Sequence, residues 1–254
     1  MSSNEMPILV GHRGYPQVFP ENSLLGIQAA LELGAQAIEI DIQASLDGEP
    51  IVCHDLKLSR VAGLAKTVDS LSAAQLQQLS AHEPRRFREQ FNPCPLPHLN
   101  EVVALLKRYP DALLFVELKE DIFKRFSRRN FVTMILPLLA PLRQRVFIIS
   151  FDLPCLRITQ ELAEVPVGWV LRHYNTRSLQ QLHQQPVDVV ICDHHKLPIS
   201  PEPLWQGPWR WFIYDIVDAD QIMHWWQRGI SYIETWDIGA MMSQDPNRVN
   251  ARRD

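Results

Sequence analysis

Eight stretches of this 254-residue chain are apolar without clean alternation, and helical patterns lie between most of them. The apolar runs occupy residues 8–10, 37–42, 112–118, 146–150, 167–171, 187–192, 211–216 and 231–234. The helical patterns fall at 23–33, 99–108, 126–139, 153–162, 178–184 and 219–228. A strand that is apolar on both faces must be covered on both faces, which is the position of a parallel strand flanked by helices. Eight such units predict an α/β fold, a TIM (β/α)8 barrel, over one domain of residues 1–254. An open doubly wound sheet is the competing arrangement, but no GxGxxG turn follows the first strand.

The alternation is interrupted once. About 70 residues separate the second and third barrel strands, too many for a plain connection. They hold a short apolar run at 51–53, a helical stretch near 72–79 and the proline-rich Asn92-Pro-Cys-Pro-Leu-Pro97. This predicts a small inserted cap segment after the second strand, at about 44–96, lying over the mouth of the barrel.

Ionisable residues cluster where the predicted strands end. His12-Arg13-Gly14 follows the first, Glu39 and Asp41 sit within the second, His54-Asp55 follows the short run in the insertion, and Glu117 and Lys119 close the strand after it. Side chains two apart on a strand share a face, so Glu39 and Asp41 point one way while Ile38 and Ile40 point the other. In a parallel barrel that inward face at the C-terminal ends is where chemistry is done. Three carboxylates converging there repel one another unless a cation sits among them. All-oxygen donors suit Mg²⁺, Ca²⁺ or Mn²⁺ and disfavour zinc. His12 and His54 are natural proton carriers near neutrality, and Arg13 and Lys119 supply charge for phosphate oxygens. Together these residues predict a metal-assisted phosphoester hydrolase. Asp55 adjoins His54, although neighbours on an extended chain point apart. Asn22 is a candidate either for capping the first helix or for a polar contact in the site.

Composition narrows the rest. A net charge of −4 gives no basic face for nucleic acid. The cluster Lys124, Arg125, Arg128 and Arg129 reads as a solvated helix face. The N-terminus lacks a basic region followed by an apolar core, no run reaches the roughly 20 residues of a spanning helix, and the four cysteines make no CxxC pair. A cytoplasmic protein with reduced thiols is expected. The sequence does not fix the oligomeric state.

In this order, His12-Arg13-Gly14, Pro20-Glu21-Asn22-Ser23, Glu39-Ile40-Asp41, His54-Asp55 and Glu117-Leu118-Lys119 resemble the glycerophosphodiester phosphodiesterase family. Weaker similarity continues through Pro97-His-Leu-Asn-Glu101, Ser150-Phe151 and 229–233, so it covers nearly the whole chain. The small cytoplasmic members are the most similar in layout. The resemblance implies a TIM barrel with an inserted cap that hydrolyses glycerophosphodiesters to glycerol 3-phosphate and an alcohol. It implies a divalent cation on Glu39, Asp41 and Glu117, His12 and His54 as the acid/base pair, and Arg13 and Lys119 on the phosphate. Two strand ends depart from the family: Tyr214-Asp215-Ile216-Val217 replaces a Trp/Tyr-Thr-Val-Asn-like run, and Glu234-Thr235-Trp236-Asp237 places Trp236 where Asp or Asn is usual. Trp236 and Trp211 either pack the barrel ends or wall the pocket. In the second case a lysophospholipid-cleaving enzyme becomes the alternative. A non-catalytic phosphodiester-binding barrel is a further one, opposed by the retained histidine pair.

Overall fold

The computed structural model describes residues 6–244. β1 (Ile8–Gly11) pairs in parallel with both β2 (Ala37–Ala44) and β9 (Ile230–Thr235), and this double pairing closes the sheet. Between them run β4 (Leu113–Leu118), β5 (Val146–Ser150), β6 (Val167–Val170), β7 (Val189–Asp193) and β8 (Arg210–Tyr214), each parallel to its neighbours. The result is a closed, eight-stranded parallel barrel. The ninth strand, β3 (Pro50–Val52), is antiparallel to the end of β2 and belongs to the inserted segment.

Alternation along each strand separates two cores. Ile38, Ile40, Leu114, Val116, Ile148, Val190 and Ile233 point outward under the helices. Phe115, Phe147, Phe212 and Tyr232 point inward and fill the barrel. Phe115 stacks on Phe147 at 4.7 Å and meets Tyr232 edge-on at 5.2 Å. Each such buried side chain contributes about 1.5–3 kcal/mol of transfer free energy. Above the aromatic plug, at the C-terminal ends of the strands, lies an open chamber.

The surrounding helices are α1 (Leu24–Glu32), α4 (Leu99–Leu106), α5 (Arg128–Leu139), α6 (Leu153–Leu162), α7 (Thr176–Gln184), α8 (Asp220–Gln227) and α9 (Ile238–Ser243). Ser127, Asp152 and Asn175 cap α5, α6 and α7 through their side-chain oxygens. α1 is capped by Ser23, whose hydroxyl accepts from the Gly26 N–H at 3.0 Å, so the capping role offered for Asn22 belongs to its neighbour. One barrel helix is missing. Among the described residues, β7 and β8 are joined by a 3₁₀ turn (His194–Lys196) and an irregular segment. Pro198, Pro201, Pro203 and Pro208 explain this, since proline removes donors that a helix needs.

The inserted segment has its own small core of Ile51, Leu58, Val68, Leu76 and Leu96. The helical stretch expected near 72–79 is a single turn, α2 (Ala73–Leu76), followed by a second, α3 (Pro84–Phe87). The segment is tied back to the barrel beside β2: the Cys53 N–H donates to the Asp41 carbonyl at 2.9 Å and the Val52 N–H to the Pro97 carbonyl at 2.8 Å. These two bonds bring His54 to the end of β2. All four cysteines are buried and unpaired. No helix among the described residues is long and apolar enough to cross a membrane.

Candidate active site

Glu39 and Asp41 leave β2 on its inward face, and Glu117 joins them from β4, where it is paired in register with Asp41. Carboxylate oxygens of the three lie within 4.8 Å of one another. Lys119 is the cation they gather in this structure: its Nζ donates to Asp41 Oδ1 at 3.0 Å and to Glu117 Oε1 at 2.9 Å. Arg13 Nε lies 3.1 Å from Asp41 Oδ2. Burial opposes charge on Asp41, but Lys119 and Arg13 hold it well below the usual carboxylate range. Burial, with Asp41 next, pushes Glu39 well above that range, and burial also raises Glu117. Glu39 Oε1 is buried and, among the described residues, accepts no hydrogen bond. An orphaned buried carboxylate oxygen beside two further carboxylates suits a hard divalent cation, so this trio could hold one.

The turn after β1 brings the next residues over this cluster. Arg13 and Asn22 both adopt left-handed backbone, with φ of 54° and 56°. Gly14, at φ 88°, lies where an added Cβ would come within 2.7 Å of the Ile27 backbone nitrogen. The turn lets the Arg13 N–H donate to Glu39 Oε2 at 3.2 Å. His12 sits with Nε2 4.0 Å from Glu39 and 3.8 Å from Glu234. Burial, reinforced by Arg13, pushes the His12 imidazole well below its ordinary value, so the ring is neutral near neutrality. Asn22 makes its polar contact within the site itself. Its side chain is spent on Asp41, donating to Oδ2 at 2.8 Å and accepting from the Asp41 N–H at 3.2 Å.

His54 reaches the site from the insertion, and here the alternation argument fails. His54 lies at a bend beyond β3, not within a strand, and its Nδ1 is 2.7 Å from Asp55 Oδ1. The hydrogen bond from His54, with Arg60 behind it, holds Asp55 below the usual carboxylate range despite burial. An ionised Asp55 therefore fixes Nδ1 as the donor and leaves Nε2 for the site. Arg60 donates to Asp55 Oδ2 at 2.7 Å and forks onto buried Glu21 at 2.6 and 2.7 Å. Glu21 also accepts from Arg13 Nη1 at 3.1 Å. A continuous polar chain, His54–Asp55–Arg60–Glu21–Arg13–Asp41, thus binds the insertion to the barrel. Nothing in the sequence marked Arg60 as part of it.

His12, Arg13, Glu39, His54, Glu117 and Lys119 all line one chamber of about 210 Å³. Its other wall is apolar and aromatic, from Ile149, Phe151, Val170, Ile191, Phe212 and Tyr214, and Asp215 and Glu234 complete the ring. Glu234 was legible in principle, being an acidic residue on the inward register at the end of the last strand. Trp236 does not line the chamber; it stands at the rim, edge-on to His12 at 5.7 Å, with the guanidinium groups of Arg86 and Arg13 at 5.5 and 5.9 Å from its ring. Trp211 is buried on the outside of the barrel, and its Nε1 donates to the Trp205 carbonyl at 3.1 Å. Neither tryptophan supplies the apolar pocket wall considered from the sequence.

A closed parallel barrel with a carboxylate trio, two histidines and two cationic side chains at its C-terminal mouth defines a TIM-barrel protein built around an acidic catalytic-type centre. The chain matches the Glycerophosphoryl diester phosphodiesterase family over residues 12–200 and belongs to it. It is 31% identical over 119 residues to a glycerophosphodiester phosphodiesterase of Bacillus altitudinis, covering 47% of this chain and 48% of that one. To that of Caldanaerobacter subterraneus subsp. tengcongensis it is 29% identical over 166 residues, covering 61% and 63%. The matches to these curated relatives therefore span about half to under two thirds of their length. Among solved structures, an Oleispira antarctica phosphodiesterase in complex with the product sn-glycerol-3-phosphate superimposes with TM-score 0.80 at 19% identity over 94% of this chain and 96% of that one. The glycerophosphodiester phosphodiesterase of Agrobacterium tumefaciens gives TM-score 0.74 at 21% identity over 94% and 100%. Both likenesses concern the fold.

Proposed function

We propose that this chain hydrolyses glycerophosphodiesters, releasing glycerol 3-phosphate and an alcohol with the help of a divalent cation. The observation that carries this reading is the convergence of His12, Arg13, Glu39, His54, Glu117 and Lys119 on one chamber from β1, β2, β4 and the insertion. The family name and the product named for the Oleispira antarctica structure agree with it.

Glu39, Asp41 and Glu117 would hold Mg²⁺, Ca²⁺ or Mn²⁺, which supplies Lewis-acid stabilisation of the charge that develops on the phosphoryl oxygens. The rest falls to the side chains. Arg13 and Lys119 contribute fixed positive charge on the phosphate, in a site where low dielectric makes such charge effective. Hydrolysis needs one group to take a proton from the attacking hydroxyl and another to give one to the departing alcohol. His12 and His54 divide these transfers. Burial and Arg13 keep His12 neutral, and His54 is held by Asp55 in the tautomer that presents Nε2.

The lysophospholipid alternative depended on tryptophans walling the pocket, and Trp211 and Trp236 lie elsewhere. The test is release of glycerol 3-phosphate from glycerophosphocholine and glycerophosphoethanolamine with Mg²⁺, Ca²⁺ or EDTA, for wild type and His54→Ala. Cation-dependent turnover lost in the variant supports the reading; turnover untouched by EDTA or by the substitution overturns the corresponding part of it.

A further inference from the structure

The turn that stands in for a barrel helix between β7 and β8 carries a cluster that the chemistry above does not use. Asp193 ends β7, and His194 and His195 open the 3₁₀ turn that follows. The lining of the chamber includes none of the three. One nitrogen of each imidazole and a carboxylate oxygen of Asp193 lie within 4.8 Å of one another. The two ring centroids are 3.8 Å apart. Local structure accounts for only part of this. Asp193 Oδ1 accepts from the His195 N–H at 2.9 Å and so caps the turn, a role that needs neither imidazole.

The rings are held as metal ligands are held. His194 Nδ1 lies 3.0 Å from the carbonyl oxygen of Tyr214, the residue paired with Asp193 across β7 and β8. A carbonyl only accepts, so Nδ1 carries the proton and Nε2 the lone pair. A backbone carbonyl on one ring nitrogen is the usual outer support of a histidine that coordinates through the other. His195 Nδ1 stands 3.1 Å from Asp193 Oδ1, near the roughly 3.4 Å edge of a tetrahedral site with bonds of about 2.1 Å. The His195 side chain is 74% exposed, so it can rotate to close the remaining distance. Lys196 Nζ approaches the other oxygen, Oδ2, and only to 3.8 Å. Two imidazoles and one carboxylate favour zinc and its transition-metal neighbours over Mg²⁺ or Ca²⁺, the reverse of the oxygen-only trio in the chamber.

We propose that Asp193, His194 and His195 form a second metal site, selective for zinc-class divalent ions, that staples the connection between β7 and β8. That connection needs a staple. Residues 197–209 form no regular element, so few backbone hydrogen bonds hold them to the barrel. An ion on the three side chains would fix the start of the connection to the end of β7 and, through the His194 bond to the Tyr214 carbonyl, to β8. The site stands apart from the carboxylate trio and does not depend on the phosphodiesterase reading.

The experiment is calorimetric titration of the full chain with Zn²⁺, in an excess of Mg²⁺, for wild type, His195→Ala, Asp193→Asn and Glu39→Gln. His195 is exposed and asparagine also caps turns, so the first two substitutions preserve the fold. Wild type is expected to bind Zn²⁺ despite the Mg²⁺. Losing a ligand costs at least what losing an outer support does, so His195→Ala and Asp193→Asn should each weaken binding by about tenfold or more. Glu39→Gln should leave it unchanged. Hydrogen exchange of residues 194–209 is expected to slow when Zn²⁺ is added to wild type, and not when it is added to His195→Ala. Zinc affinity that survives both ligand substitutions, or that Mg²⁺ abolishes, overturns the site. Affinity lost in Glu39→Gln instead would place the ion on the carboxylate trio and also overturn it. Binding through these residues without slower exchange overturns the staple.

Discussion

Asn22 and Asp41 are hydrogen-bonded in both directions, Nδ2 donating to Oδ2 at 2.8 Å and the Asp41 N–H donating to Asn22 Oδ1 at 3.2 Å. The two residues come from different elements, so the pair locks the turn before α1 onto the middle of β2. It also fixes the orientation of the carboxylate that Lys119 and Arg13 share. Replacing Asn22 by Ala leaves Asp41 Oδ2 short of a donor in a buried position. The expected outcome is a loss of about 1–3 kcal/mol in urea unfolding and roughly 10- to 100-fold weaker Mg²⁺ binding by calorimetric titration. Unchanged Mg²⁺ affinity would show that Asp41 needs no such support.

The His54–Asp55 contact predicts a kinetic signature. Asp55→Asn retains shape but removes the ionised acceptor that sets the imidazole tautomer. We expect kcat to fall by roughly 100-fold or more with KM nearly unchanged, and His54→Ala to fall at least as far. A loss confined to KM would place Asp55 in substrate binding instead.

Cation binding is linked to pH through Glu39. Burial and Asp41 raise its proton affinity in the free protein, so at mildly acidic pH Glu39 carries a proton that a bound cation must displace. Affinity for Mg²⁺ therefore rises with pH and falls on acidification, with protons released on binding. Calorimetry in buffers of different ionisation enthalpy reads that release directly, and Glu39→Gln should reduce it. Affinity independent of pH would contradict the assignment of Glu39 as a ligand.

Gly14 predicts a structural cost. Alanine there meets a φ of 88° and backbone atoms of Gly26 and Ile27 at 2.7–2.8 Å, neither of which can yield cheaply. Gly14→Ala is expected to destabilise by about 1–3 kcal/mol and to displace His12 and Arg13, lowering activity together with melting temperature. Full activity at a lowered melting temperature would show that the turn is not what places His12.

Side-chain period and apolar continuity determined much of this protein in advance. Strand residues such as Ile38, Ile40 and Val116 had to be covered on the outside, and the two-residue period then put Glu39, Asp41 and Glu117 together on the inside. The boundaries moved by a residue or two, and the prolines between β7 and β8 removed a helix that the regular pattern implied. What only the tertiary structure decided lies off the strands. His54 and Asp55 pair because the chain bends there and no strand period applies. Arg60 joins Glu21, 39 residues away, only once the insertion folds back beside β2. Asn22 yields the helix cap to Ser23 and turns to Asp41 through a left-handed backbone that no local pattern announces. Trp211 and Trp236 carry the same side chain, yet one packs beneath helices and the other stands edge-on to His12. Period and burial are local consequences of covalent geometry and water, so the sequence states them; contacts across loops depend on where closure of the barrel brings distant segments, and only the assembled chain states those.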